Sequence, residues 1–183
     1  MDAASINPSD HEHPLYALFR EHVSHSLHQT DGLLAEPDVE DYMARLMLTF
    51  LHTDRIFAIR DKSGRRLASV AEMVAEGDIR LNADSFERER EVHKHIGDFI
   101  LFWSGIYPEF LRHLKLHFGC DLICDYTRQG RESYYVVSTF DHAPYDREAN
   151  TFRKLSSRFE EYTFCLRQVR ETIPLSLHQG GSA

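Results

Sequence analysis

Apolar residues in this chain recur every three or four positions, and the polar residues between them fall on the opposite face. That period is the signature of amphipathic helices, whereas a half-buried strand would alternate. From Pro14 to Gln29, the residues Leu15, Leu18, Phe19, Val23 and Leu27 form one stripe. From Pro37 to His52 the stripe is Val39, Met43, Leu46, Met47 and Phe50. Proline is well placed at the first turn of a helix and glycine just past its end. Pro14, Pro37, Pro108 and Pro144 therefore mark starts, and Gly32, Gly77, Gly105, Gly119 and Gly130 mark ends or breaks. Residues 55–67, centred on Lys62-Ser63-Gly64, read as a turn, although Ile56–Ile59 alternates weakly enough to suggest a small hairpin. A short helix from Leu67 to Glu76 follows and stops at Gly77.

A longer helix starts after Asn82-Ala83-Asp84-Ser85, where several N-caps compete, and runs to about Ser104. Its stripe is Val92, Ile96, Phe99, Trp103 and Ile106. Pro108–Phe118 forms the next segment, and the stretch after Gly119 is expected to break near Gly130 and resume through Tyr134 and Val137. The C-terminal segment has the strongest periodicity. Phe152, Leu155, Phe159, Tyr162, Leu166, Val169 and Ile173 step alternately by three and four, a heptad pattern. It serves either as a central core helix or as a seam for a partner chain. Its aromatic residues favour the core. The expected fold is an all-α, single-domain bundle of six to eight helices over residues 14–173, with a long central C-terminal helix. Residues 1–13 and 174–183 are expected to be flexible ends.

Composition narrows the function. The chain has 183 residues and a net charge of −8, which argues against a general nucleic-acid binder with its need for a basic face. No run approaches the ~20 apolar residues of a membrane span, so a soluble protein is expected. Three cysteines, an odd number, and no secretory signal suggest reduced thiols in a cytoplasm. Twelve histidines are spread over the whole chain.

Two constellations could carry chemistry. His113, His117, Cys120 and Cys124 are spaced H-x3-H-x2-C-x3-C, within about 60° of each other on one helix. Such residues ligate zinc or iron, and i,i+4 lets two helical side chains meet one ion. Four ligands on one straight helix would span about 16 Å, so a site needs a second helix or a kink at Gly119. The alternative is exposed histidines with cysteines as semi-buried fillers. The second constellation is Glu91, His95 and Asp98. Asp98 sits among apolar neighbours, so it must be paired or protonated. His95 is a ready partner for acid–base or metal chemistry, and a Tyr or Arg from another helix would instead make a structural network. Tyr126, Tyr134, Tyr135 and Phe140 could line a ligand pocket or simply fill core. Two further groups are slighter: Ser24 and Ser26 beside His22, His25 and His28, and the terminal His11-Glu12-His13. The chain carries no nucleotide-binding, zincin or nucleophile-elbow motif.

Gly97-Asp98-Phe99-Ile100-Leu101-Phe102, then Gly105, Pro108-Glu109, Tyr126, Gly130 and Tyr134-Tyr135, resembles a pattern in a family of uncharacterised bacterial all-helical proteins. The resemblance covers about residues 93–137. It implies a bacterial, cytoplasmic helical domain and no particular activity. Two functions follow as expectations. The first is a non-enzymatic helical module that binds a protein partner or associates with itself. The alternative is a metal- or small-ligand-binding protein, possibly an enzyme, built on Asp98 and His95 or on the His/Cys file.

Overall fold

The structure, a computed structural model, describes residues 13–30 and 36–173, the side chains of Thr53 and Cys120 excepted. Of the segments expected to be flexible, 1–13 and 174–183, all but His13 lie outside the described residues, His11 and Glu12 among them. Nine helices occur among the described residues, eight of them of eight or more residues. They pack together as an all-α, single-domain bundle. In chain order they are α1 (Pro14–Gln29), α2 (Pro37–Phe50), α3 (Thr53–Ile56), α4 (Val70–Gly77), α5 (Phe86–Ile106), α6 (Pro108–His117), α7 (Tyr126–Ser138), α8 (Asp146–Ser157) and α9 (Phe159–Thr172).

Local chemistry starts α1, α2, α5 and α6 where the sequence indicated, while α4 begins at Val70 and not Leu67, and α7 at Tyr126 and not directly after Gly119. Proline occupies the first turn of α1, α2 and α6. The His13 ring accepts from the Leu15 amide at the start of α1. Ser69, Ser85 and Asp125 cap α4, α5 and α7 through side-chain oxygens that accept from backbone N–H groups of the first turn. Residues 57–69 make a turn joined by a single antiparallel bridge, Arg60 to Arg66. At its tip Gly64 adopts φ +84°, open to glycine at no steric cost. The Asp61 carboxylate braces the turn by accepting from the Ser63 and Arg65 amides at 2.9 and 3.0 Å.

The centre of the bundle is α5, not the C-terminal segment. It packs against α2, α4, α6, α7 and α9. Val92, Ile96, Phe99, Ile100 and Leu101 on it are fully buried. The long C-terminal helix expected from the heptad is in fact two, α8 and α9, broken at Arg158 (φ −124°, ψ 34°). At the break the Lys154 carbonyl still accepts from the Arg158 N–H at 3.0 Å, and both serines before it are hydrogen-bonded. Ser157 Oγ donates to the Lys154 carbonyl at 3.0 Å, and Ser156 Oγ donates to the Arg131 carbonyl at 2.9 Å. The heptad residues themselves, Phe152 through Ile173, are all buried within the chain, so they are core and not an open seam.

Two glycines read as breaks lie inside unbroken helices. α5 continues past Ser104 through Gly105, where a Cβ would collide with Leu166 of α9. α7 continues through Gly130, where a Cβ would collide with the Phe159 ring. Here glycine permits close helix approach, and the helix tolerates it at a cost of about 1 kcal/mol relative to Ala. Gly105→Ala is predicted to destabilise the fold by about 1–3 kcal/mol through overpacking. Gly119→Ala, with nothing within 4 Å of the added carbon, should be near neutral. Urea unfolding of both variants checks this. Equal stabilities would contradict the packing role of Gly105.

Candidate functional site

Asp98 lies in the middle of α5 and is buried. A carboxylate there must recover in hydrogen bonds what it loses in hydration. Three helices supply the donors. Tyr42 of α2 donates its hydroxyl to Asp98 Oδ1. Tyr134 of α7 donates to the same oxygen at 2.8 Å. Lys94, one turn earlier on α5, donates its ammonium to Oδ2 at 2.9 Å. Burial, then the negative charge of Asp98, holds both phenols well above the ordinary tyrosine range. They therefore stay protonated and keep donating. Gly97 makes this approach possible, because a Cβ there would lie 2.5 Å from the Tyr134 ring.

Aromatic rings close the network. Phe152 of α8 meets Tyr42 edge-on at 5.1 Å and Tyr134 at 5.6 Å. The Lys94 ammonium sits 5.2 Å from the Tyr42 ring centroid. Next along the same flank of α5, Arg90 bonds Glu148 of α8 at 2.6 Å and lies 3.9 Å over the Tyr145 ring. Both oxygens of Asp98 are thus engaged, and to act as a base it would first have to lose a donor.

His95 does not join Asp98. Its Nε2 faces the Ile56 carbonyl at 3.1 Å, tying α5 to the end of α3. Its ring lies between Phe50 and Phe99, with centroids 6.1 and 6.2 Å away. Burial, against the favourable charge of Asp98, pushes its pKa down to about 4. At neutral pH it is an uncharged packing residue. Glu91, the third member of the expected group, pairs instead with Arg88 at 3.2 Å. The expected His95–Asp98 pair is thus replaced by two separate structural contacts.

The His/Cys file is interrupted. α6 ends at His117, Gly119–Asp121 forms a 3-10 turn, and Cys124 precedes the cap of α7. His113 and His117 are exposed on α6, while Cys124 is half-buried with its thiol raised to about 11 by burial and the nearby Asp121. The Cys120 side chain lies outside the described residues. Among the described residues no group of three His, Cys, Asp or Glu side chains is placed to hold a metal ion.

The tyrosines expected to share a pocket are dispersed. Tyr134 faces Asp98, and Tyr126 is buried with its hydroxyl donating to Asp121 at 3.0 Å. Tyr135 is 62% exposed on the opposite face of α7 and lines an open groove with Arg131 and Glu160. Phe140 packs on Tyr145. The serines and histidines of α1 also serve docking, as Ser26 donates to Gln168 of α9 at 2.6 Å and His22 meets Thr172 Oγ1 at 3.1 Å.

Asp121 escaped the sequence reading. It is fully buried and accepts from Ser69 Oγ (2.8 Å), the Val70 and Ala71 amides (3.1 and 2.9 Å) and Tyr126. It thereby satisfies the free N–H groups opening α4 and adds negative charge at the positive end of that helix. Its main partners are some fifty positions away, so no short-range spacing announces them.

Comparisons with family models, with curated proteins and with solved structures gave no match to this chain. Among the described residues no helix is long and apolar enough to cross a membrane.

The His95 geometry sets a pH dependence. An unfolded imidazole takes its proton near 6.5, and the folded one only near 4. The unfolded chain therefore binds more protons between those values, so this contribution is complete above 6.5 and is lost as pH falls towards 4. From about pH 7.5 to about pH 5 the loss from His95 is about 2 kcal/mol. His93, lowered in the same direction by burial, adds to it. Urea unfolding of wild type and His95→Gln at both pH values checks this, and an identical pH dependence in the two proteins would contradict it.

Proposed function

We propose that this protein is a non-enzymatic helical module that works through surface contact, its first partner being another copy of itself. The observation that carries the reading is a run of exposed aliphatic side chains at the end of α6 and just after it. Ile123 is 96% exposed, Leu116 80% and Leu122 60%. Single apolar residues on a surface are ordinary, whereas these three within eight residues of sequence expose aliphatic area at and just after the end of α6, which supports a contact surface there. The engagement of the buried polar groups supports the same reading. Asp98 and Asp121 are engaged by protein donors, and His95 is held uncharged against Ile56. The ligand-dependent alternative through Asp98 and His95 has no comparable observation behind it.

Light scattering after size exclusion tests the reading on untagged protein with its bound ions left in place. Wild type should gain mass with concentration. Leu122→Asp combined with Ile123→Asp should abolish that gain while leaving the far-UV circular dichroism melt unchanged. A wild type that stays monomeric at every concentration would contradict the proposal.

A further inference from the structure

We infer that the groove between α7 and the α8–α9 junction binds a small zwitterion with a flat ring, an aromatic amino acid in its free form. The groove is separate from the aliphatic run at the end of α6, so the inference does not rest on the self-association reading.

The groove offers about 620 Å³, a volume in the range of small-molecule sites. One wall is α7, with Arg131 and Tyr135 about one helical turn apart. The other is Ser156 of α8 and Glu160 of α9, on either side of the break at Arg158. Two contacts hold the walls together. Ser156 Oγ donates to the Arg131 carbonyl at 2.9 Å. The missing Cβ of Gly130 admits the ring of Phe159, the neighbour of Glu160, against α7. The groove therefore follows from helix packing.

Its polar lining divides into engaged and free groups. Arg128 is held by Glu132 at 2.7 Å, and Asp125 accepts from the Arg128 amide at 3.1 Å as the cap of α7. Among the described residues the Arg131 guanidinium, the Glu160 carboxylate and the Tyr135 hydroxyl have no hydrogen bond or ion pair, and all three residues are exposed. Arg131 and Glu160 thus bring opposite charges to one groove without neutralising each other. That arrangement sets the charge of the ligand. An anion beside Arg131 is repelled by Glu160 and by the net charge of −8, and a cation beside Glu160 is repelled by Arg131. A molecule of both signs satisfies both, its carboxylate accepting from the guanidinium and its ammonium donating to Glu160. The exposed Tyr135 ring adds a face for an aromatic side chain. A free amino acid carries ammonium and carboxylate on one carbon, whereas the end of a peptide carries only one of them, so the groove selects the free form.

Titration calorimetry of the untagged full chain with L-phenylalanine is the test. Phenylacetate, which lacks the ammonium, phenethylamine, which lacks the carboxylate, and N-acetyl-L-phenylalanine amide, which lacks both charges, are titrated beside it. The expected result is saturable binding of phenylalanine, weakened about tenfold or more in each analogue, the effect of losing one charged hydrogen bond. Arg131→Ala and Glu160→Ala should each weaken phenylalanine by a similar factor with unchanged circular dichroism, and Tyr135→Ala should weaken it too. Arg112→Ala, which removes an exposed arginine of α6, should leave binding intact. No saturable binding at millimolar phenylalanine overturns the inference, and so does binding that both the Arg131 and Glu160 variants retain. An analogue that binds as tightly as phenylalanine overturns the zwitterion in favour of an anion, a cation or a peptide segment. L-Alanine binding as tightly overturns the aromatic preference. None of these outcomes decides self-association, which light scattering reads separately.

Discussion

A single buried carboxylate sets the terms for this fold. Asp98 stands on the helix that five others pack against, where an unpaired charge would cost several kcal/mol in lost hydration. The chain recovers that cost with donors from three directions: Tyr42 from α2, Tyr134 from α7 and Lys94 from α5 itself. An apolar core tolerates small slides of one helix along another. Hydrogen bonds that must all meet one carboxylate do not, so the network fixes the register of α2 and α7 on α5. Gly97 belongs to the same device, since it lets the Tyr134 ring come close enough to donate.

Asp121 repeats the strategy elsewhere in the molecule. It joins the start of α4 to the start of α7, using two backbone amides and two hydroxyls. Polar groups that would suggest reactivity in isolation are here used to join helices remote in sequence. On the surface, the exposed aliphatic residues Leu116, Leu122 and Ile123 and the exposed histidine pair of α6 lie within residues 113–123.

What could be read in advance follows from the range of the forces involved. Helix starts were legible because caps and first-turn prolines act within a few residues, as at Pro14, Pro37 and Ser85. The heptad through Phe152 and Ile173 correctly marked core, because burial depends on periodicity. The break at Arg158 was not legible, since the apolar period runs through it unchanged, from Leu155 to Phe159 and Tyr162. Gly105 and Gly130 were misread for the same reason, their purpose being set by Leu166 and Phe159 on another helix. At the candidate site, apolar neighbours announced that Asp98 needed partners. Which partners it takes depends on a three-helix arrangement that no local spacing encodes, and so does the separation of His95 from it. Asp121, flanked by no comparable apolar run, gave no such warning.

Unfolding energetics of Asp98→Asn, Tyr134→Phe and the double variant, measured in urea, test the network most directly. Asp98→Asn puts an amide N–H₂ towards the Lys94 ammonium or the phenols and should cost about 2 kcal/mol or more. Tyr134→Phe should cost about 1–2 kcal/mol. Because the two side chains share one hydrogen bond, the double variant should lose less than the sum of the single losses. Strictly additive losses, or an Asp98→Asn protein as stable as wild type, would contradict the claim that this carboxylate holds the three helices in register.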